Sequence, residues 1–385
     1  MSDQKVQYNI IQDDLSGFAD KGPAFVTIGE CMVRDTPTDM QRLEMTRQVH
    51  ISLAGSEYTL AMTLARLGIP SAYITRLPDN PYGWMVRDTA RSQGIHTDYI
   101  VWAPKAEPIG RLLYELGRTP RKSVAYYQRM CSAASRLSPG MVDWGSALRD
   151  CKLFHTSGIT FGLANHSKYE HNYLLDTFHE AMANRQPDTL VGLDFNYRST
   201  LWKPEQCKAV MTPLISDYID ILITTIEDMA ALYGIGCGQY SAEQIDKGDI
   251  GELTDSDIKA FAEQVGELFK TRIVAITIRY PDTFEQHRWE AAAMDAEGHF
   301  FRSPAVKPMV LLDRLGGGDT WNGGFYYGLL TTGFNPDGIA KGVLVGDAAT
   351  RIKQTLMFDL PIVTRHEVQD LMKADVLGGG KRVAR

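Results

Sequence analysis

Residues 311–325 read Leu311-Leu-Asp-Arg-Leu-Gly-Gly-Gly-Asp-Thr-Trp-Asn-Gly-Gly-Phe325. Three consecutive glycines, Gly316, Gly317 and Gly318, stand before Asp319 and an apolar helical run with Phe325 and Leu329 on one face. Glycines at the start of a helix open backbone conformations closed to other residues and bring bare N–H groups close to a ligand. Those groups and the helix dipole favour an anion, typically phosphate. A carboxylate in the same place would repel a resting phosphate, so Asp319 calls for a reason. One reason is local, since Asp is a preferred N-cap. The other is chemical: Asp319 faces an acceptor hydroxyl and takes its proton while the glycine amides stabilise a transferring phosphoryl group.

Upstream of this stretch, short apolar runs alternate with helical patterns. Phe25-Val-Thr-Ile-Gly29, Ser71-Ala-Tyr-Ile-Thr75, Lys152-Leu-Phe-His155, Leu190-Val-Gly-Leu193, Ile219-Asp-Ile-Leu-Ile223 and Ile273-Val-Ala-Ile-Thr-Ile278 have the composition of buried strands. Between them, residues 58–67 place Leu60, Leu64 and Leu67 on one helix face, with Gly68 and Pro70 as stop signals. Residues 257–270 put Ile258, Phe261, Ala262, Val265, Leu268 and Phe269 at helical spacing, and Thr254 to Ser256 supply a cap. This alternation predicts a mostly parallel sheet covered by helices on both faces. Two regions, about 31–55 and 97–135, break it with period-two patterns such as Arg111-Leu-Leu-Tyr-Glu-Leu116, and are expected to form a small antiparallel lid sheet. One domain is expected over 25–375, after a polar extension at 1–24 and before a mobile tail at 376–385. Residues 234–256 read as an acidic surface insertion.

Lys and Arg number 40 and Asp and Glu 47, a net charge of −7 over 385 residues. That balance argues against a dedicated surface for nucleic acid or an anionic membrane. Hydrophobic residues make up 44% and charged residues 23%, ordinary for a globular chain with a large core. No apolar run reaches the roughly 18 residues that span a bilayer, and Asp3, Lys5, Asp13, Asp14 and Asp20 leave no room for an apolar signal segment. Five cysteines without a Cys-x-x-Cys pair are expected as free thiols, with the cytoplasm as the compartment.

The Walker A pattern and Gly-x-Gly-x-x-Gly are absent, so neither a P-loop enzyme nor a dinucleotide-binding oxidoreductase is supported; His-Glu-x-x-His and Gly-x-Ser-x-Gly are absent too. His166, Glu170 and His171 lie close, but His at i and i+5 does not share a helix face, so a solvated helix is expected there rather than a metal site. The glycine motif, Asp313-Arg-Leu-Gly-Gly-Gly-Asp319, resembles the second signature of the ribokinase-like (PfkB) carbohydrate kinases, Asp-Thr-x-Gly-Ala-Gly-Asp. Leu53-Ala-Gly-Ser-Glu-Tyr-Thr-Leu-Ala-Met-Thr-Leu-Ala-Arg-Leu-Gly68 is similar to the family's Gly-Gly-Ala-x-x-Asn-x-Ala-x-x-Leu-Ala-x-Leu-Gly, and Asp79-Asn-Pro-Tyr-Gly83 to its Asp-x-x-Gly turn. The resemblance extends from about residue 25 to residue 373. It implies a three-layer α/β/α sandwich with a mostly parallel central sheet and a small antiparallel β lid. It also implies Asp319 as catalytic base, Gly316, Gly317 and Gly318 as an anion hole, and ATP and Mg2+ as cofactors.

Within the family the resemblance is to 2-keto-3-deoxygluconate kinases. Ser123-Val-Ala-Tyr-Tyr-Gln-Arg-Met-Cys-Ser-Ala-Ala-Ser135 is similar to their Tyr-Tyr-Arg-x-x-Ser-Ala segment, which implies that Tyr127 and Arg129 contact the sugar, as does Gly55 of the N-terminal motif. Leu193-Asp-Phe-Asn-Tyr-Arg-Ser-Thr-Leu-Trp202 resembles another of their segments and puts Arg198 on the sugar's carboxylate. The residues by themselves say less. Tyr127 and Arg129, at i and i+2 of a strand, point to one face, and Asp194, Asn196 and Arg198 follow an apolar run, where ligands of parallel sheets collect. Arginine suits a carboxylate, but an exposed strand face and a solvated loop would read the same.

Departures from the family pattern fall at the nucleotide and the metal. The family's Asn-x-x-Glu is Thr225-Ile-Glu-Asp228 here. Thr225 is left to the nucleotide, and Asp228 or Glu227 to magnesium through water, unless the nucleotide itself holds the metal. The usual strand-end Gly is Arg279, which either reaches an ATP phosphate or lies at the surface, and the N-terminal Asn gives way to Tyr58 or Thr59. The expected activity is ATP-dependent phosphorylation of the terminal hydroxyl of a sugar acid, 2-keto-3-deoxygluconate to its 6-phosphate. A homodimer through the lid strands is expected, since open sheet edges tend to pair. The alternatives are a kinase of the same fold for another sugar or a nucleoside, and a non-catalytic sugar or nucleotide sensor.

Overall fold

The structure, a computed structural model, describes residues 8–19, 21–163, 171–280, 287–304 and 309–377. His166, Glu170 and the tail from residue 378 lie outside the described residues. All six apolar runs become strands of one nine-stranded sheet. Its order is Phe300–Arg302, Trp289–Asp295, Ile273–Arg279, Ile221–Thr225, Leu190–Asp194, Leu153–Ser157, Phe25–Ile28, Ser71–Ile74 and Ile95–His96. The strands from Ile273–Arg279 to Ile95–His96 run parallel, and Trp289–Asp295 pairs antiparallel with both Ile273–Arg279 and Phe300–Arg302.

Successive residues of each strand feed opposite cores. Val26, Ile28, Phe154, Leu222 and Ile276 pack on one side; Phe25, Leu153, Ile221, Ile223 and Ala275 pack on the other. Burial on both faces is why these strands read as unbroken apolar runs. Helices Tyr173–Asn184, Pro204–Tyr218 and Asp255–Phe269 cover the first side, and Ser56–Arg66, Gly317–Thr332 and Pro336–Lys353 the second, which makes three layers. The punctuation acts as expected. Thr254 and Asp257 form a reciprocal capping box, and Gly68, at φ 95°, ends the helix Ser56–Arg66. Leu268 departs from the expected face and is exposed.

The lid is a four-stranded sheet in the order Val49–Ala54, Met32–Pro37, Arg111–Glu115, Val124–Gln128. Its outer pairs are antiparallel and its central pair is parallel. The parallel pair arises because the chain passes through the main sheet between residues 54 and 111 and returns by a crossover rather than a hairpin. Residues 8–19, polar in composition, are fastened down: Ile10 is buried, and Asp13 lies 2.7 Å from Lys341 Nζ. Within 234–256, Cys237, Ile245, Ile250 and Leu253 join the core, so this stretch is anchored by its few apolar residues. All five cysteines are free. Among the described residues, no helix is long and apolar enough to cross a membrane.

Candidate active site

Strand order reverses between the neighbours Phe25–Ile28 and Leu153–Ser157, because the chain builds one half of the sheet before the other. Loops at the carboxyl ends of such strands diverge and leave a crevice. Here a cleft of about 360 Å³ opens, lined by Asp194, Asn196, Arg198, Thr225, Asp228 and Arg279 from strand ends and by Gly55, Ser56 and Glu57 from the start of the helix Ser56–Arg66. The glycine motif contributes Gly316, Gly318 and Asp319, and the lid contributes Tyr127 and Arg129. Of the residues the sequence nominates, Gly317 alone does not line this cleft.

The helix Gly317–Thr332 begins inside the motif, with Gly316 as its N-cap at φ 75°. A side chain there would be strained, and its Cβ would lie 2.4 Å from the Asp359 carbonyl oxygen. The N–H groups of Gly318 and Asp319 have no partner among the described residues, as expected for a helix's first turn. Gly317 corrects the expectation of three equivalent amides. It is buried, its N–H donates to the Arg314 carbonyl at 3.3 Å, and its open side faces Gln354, 2.8 Å from where a Cβ would sit.

Asp319 Oδ1 accepts a hydrogen bond from Ser56 Oγ at 2.5 Å, and Asn196 Nδ2 lies 3.5 Å from that hydroxyl. Burial raises the Asp319 pKa, while the Ser56 hydrogen bond and the charges of Arg198, Arg279 and Lys353 draw it back. Asp194, held by Asn322 Nδ2 at 2.8 Å, is pushed up to about 7 by burial and then by the Asp319 charge. Asp228 is raised to about 6 by burial, with Arg198 and the Tyr197 N–H opposing. Burial likewise raises Glu57, which accepts from Ser157 Oγ at 2.6 Å and Thr160 Oγ1 at 2.8 Å.

A second layer fixes the motif. Arg34, on lid strand Met32–Pro37 and fully buried, pairs with Asp313 at 2.5 Å and Asp359 at 2.6 Å. Lys353, also buried, donates to the carbonyls of Asp313, at 3.1 Å, and Leu315. Arg129 is likewise committed: Nε and Nη2 donate to buried Glu30 at 2.7 and 2.6 Å, and Ser132 Oγ donates to the same carboxylate. Arg129 therefore reaches the cleft as half of an ion pair. Arg198 is exposed and, among the described residues, donates only to the neighbouring Tyr197 carbonyl, so its guanidinium is open to a ligand.

Sequence reasoning missed Ser56, Glu30, Arg34 and Lys353. Ser56 lies inside a quoted motif, where the resembled pattern has Ala. Lys353 follows Val345 and Ala349 on one helical row, a spacing that would have marked it as buried. For Glu30 and Arg34 no local signal exists, since their partners are distant in sequence.

A model of the pfkB family carbohydrate kinases matches residues 24–248. The 2-dehydro-3-deoxygalactonokinase of Haloferax volcanii is 27% identical over 355 residues, covering 92% of this chain and 98% of that protein. The crystal structure of 2-dehydro-3-deoxygluconokinase from Thermotoga maritima superposes with a TM-score of 0.79 at 28% identity, covering 91% of this chain and 99% of that one. A putative ribokinase II from E. coli, solved with ATP and Mg2+, shares the fold with a TM-score of 0.69 at 16% identity over 91% of this chain and 99% of that one.

Proposed function

The chain belongs to the pfkB family of carbohydrate kinases, and we propose that it transfers the γ-phosphoryl group of ATP to the terminal hydroxyl of a 2-keto-3-deoxy sugar acid, 2-keto-3-deoxygluconate yielding its 6-phosphate. The observation that carries this reading is the pairing of the Asp319 carboxylate with the unpartnered N–H groups of Gly318 and Asp319 at one helix start, inside the cleft. In this reading Asp319 accepts the hydroxyl proton as the sugar oxygen attacks, and the amides hold charge on the transferring group. Ser56, already hydrogen-bonded to Oδ1, keeps the carboxylate aimed and ionised. Arg198 takes the sugar's carboxylate, Tyr127 and Gly55 shape its pocket, and Arg129 with Glu30 braces the lid side.

The donor set fits ATP with magnesium. Bare amides and Arg279 suit phosphate oxygens, Thr225 adds a hydroxyl, and Asp228 offers a hard oxygen ligand at the cleft wall. Magnesium, when bound, neutralises phosphate charge. We extend the proposal to a homodimer through the lid, whose outer strands expose Val49 and Ile51 on one edge and Tyr126 on the other; sedimentation as a monomer at micromolar concentration would reject this part.

The test is ADP release across 2-keto-3-deoxygluconate, 2-keto-3-deoxygalactonate, gluconate, fructose and a nucleoside, with and without magnesium. Asp319→Asn should lower kcat by orders of magnitude with sugar affinity kept; near-normal turnover removes the base. Arg198→Ala should weaken binding of carboxylated sugars above all, and equal losses on fructose would exclude a carboxylate clamp. The relative from Haloferax volcanii, named for the galactonate epimer, favours a second reading in which both epimers are substrates.

A further inference from the structure

Arg279 is the last residue of the strand Ile273–Arg279, and its side chain is exposed within the cleft. Nη2 lies 3.6 Å from where a Cβ on Gly318 would be, so the guanidinium stands over the first turn of the helix Gly317–Thr332. That turn carries the unpartnered N–H groups of Gly318 and Asp319.

The buried arginines of this protein are neutralised at close range. Arg34, Arg76, Arg129 and Arg351 each hold a carboxylate within 2.9 Å. Arg279 differs. Among the described residues it has no carboxylate within ion-pair distance and donates no hydrogen bond, although Glu227, Asp228 and Asp194 line the same cleft. The face of Trp289, 5.5 Å from the guanidinium carbon, supports it instead. Arg198 faces the same space and repels it. Two guanidiniums and the bare amides of the helix start face one volume, with the carboxylates of Asp194, Glu227 and Asp228 in the same lining.

We infer that Arg279 is a catalytic residue of phosphoryl transfer, its guanidinium contacting the outermost phosphoryl oxygens of ATP and taking up charge as that group moves. The inference rests on the reading of this cleft as an ATP-dependent kinase site. In the step, the bond from phosphorus to the β–γ bridging oxygen breaks with its electron pair going to ADP. The bond from the sugar oxygen to phosphorus forms, the hydroxyl proton goes to Asp319, and Arg279 stays charged throughout. A rigid cation supplied from within the chain acts where charge spreads over the equatorial oxygens, which is where such arginines are worth most.

The experiment compares wild type with Arg279→Gln, Arg279→Lys and Asp319→Asn. It measures kcat, both KM values, and calorimetric binding of ADP and of ADP with aluminium fluoride plus sugar. Arg279→Gln removes the charge while keeping a polar, uncharged side chain beside Trp289, and its circular dichroism verifies folding. The expected result is a fall in kcat on the order of 10³-fold, with ADP affinity within about threefold of wild type. The aluminium fluoride complex should weaken far more than the ADP complex, and guanidinium chloride at millimolar concentration should restore part of the rate. A loss of ADP affinity as large as the loss of kcat, or turnover within tenfold of wild type, overturns the inference. If Asp319→Asn is inactive while Arg279→Gln is normal, this inference alone falls; if both turn over normally, the proposed function falls with it.

Discussion

Ser56→Ala isolates one hydrogen bond at the candidate base. Ser56 Oγ donates to Asp319 Oδ1 at 2.5 Å, and it opposes the burial that raises this carboxyl's pKa. A hydrogen bond to an ionised group contributes about 2 kcal/mol and one to a neutral group about 1 kcal/mol. Removing it therefore disfavours the carboxylate by about 1 kcal/mol, roughly 0.7 of a pKa unit. The sign follows from the role: a base must be ionised, so a higher pKa moves the acid limb of kcat/KM to higher pH. The other charges facing Asp319, namely Asp194, Glu57, Arg198, Arg279 and Lys353, are common to both proteins and cancel in the comparison. Initial rates between pH 5 and 9 should show the variant losing a further three- to sevenfold on the acid side relative to its activity at pH 8, with the factor set by that shift. A water filling the place of the hydroxyl would shrink this displacement without reversing it. A variant-to-wild-type ratio that is flat across pH, or an acid limb displaced downward, refutes the reasoning.

Gly316→Ala should cost about 1–2 kcal/mol for a left-handed alanine at φ 75°, and more for the 2.4 Å approach to the Asp359 carbonyl; an unchanged urea midpoint would show that the loop adapts freely. Arg34→Met strands two buried carboxylates, Asp313 and Asp359, and should lower unfolding free energy by about 3–5 kcal/mol, with a loss under 1 kcal/mol counting against the buried pairing. Because folding raises the pKa of Asp194 to about 7 and of Asp228 to about 6, the ligand-free protein binds more protons folded than unfolded across that window. Its stability should fall as pH rises from about 4 through 7. Asp194→Asn should flatten that slope and melt above wild type at pH 8, and an unaltered slope would remove Asp194 as a contributor.

Much of this architecture was legible because its signals are local. The strands of the parallel sheet are short, apolar on both faces and bounded by turns, so Phe25–Ile28 and Ile273–Arg279 announce themselves without any partner in view. Trp289–Asp295 did not, because it carries Glu290 and Asp295 and pairs at the antiparallel edge. The lid was visible as period-two sequence, but its parallel central pair was not, since pairing direction depends on where the chain has travelled in between. The site divides in the same way. Asp319 and Gly316 belong to one compact motif, whereas Arg129 carried no hint of Glu30, 99 positions away. Sequence nominates side chains by type; only the fold states which of them already have partners, and that separates Arg129 from Arg198 and Arg279.

The proposed function would set a phosphate beside a carboxylate, like charge against like, and the buried layer behind the motif bears on how this cleft would tolerate it. Lys353 draws the carbonyls of Asp313 and Leu315 toward its ammonium, away from the cleft. In a trans peptide the N–H points opposite to its C=O, so fixing the Leu315 carbonyl on Lys353 aims the Gly316 N–H the other way. One buried lysine thus orients loop dipoles and also draws down the pKa of Asp319. Arg34 holds the same loop through Asp313, whose other oxygen accepts the Leu315 N–H at 3.1 Å. The lysine comes from the helix Pro336–Lys353 and the arginine from lid strand Met32–Pro37, so motif, lid and second helical layer meet at Asp313. The resembled family pattern begins with this Asp, at the opposite end of the motif from the candidate base. These contacts give it a physical role in the proposed function, because it anchors the loop whose dipoles would face a phosphate beside Asp319.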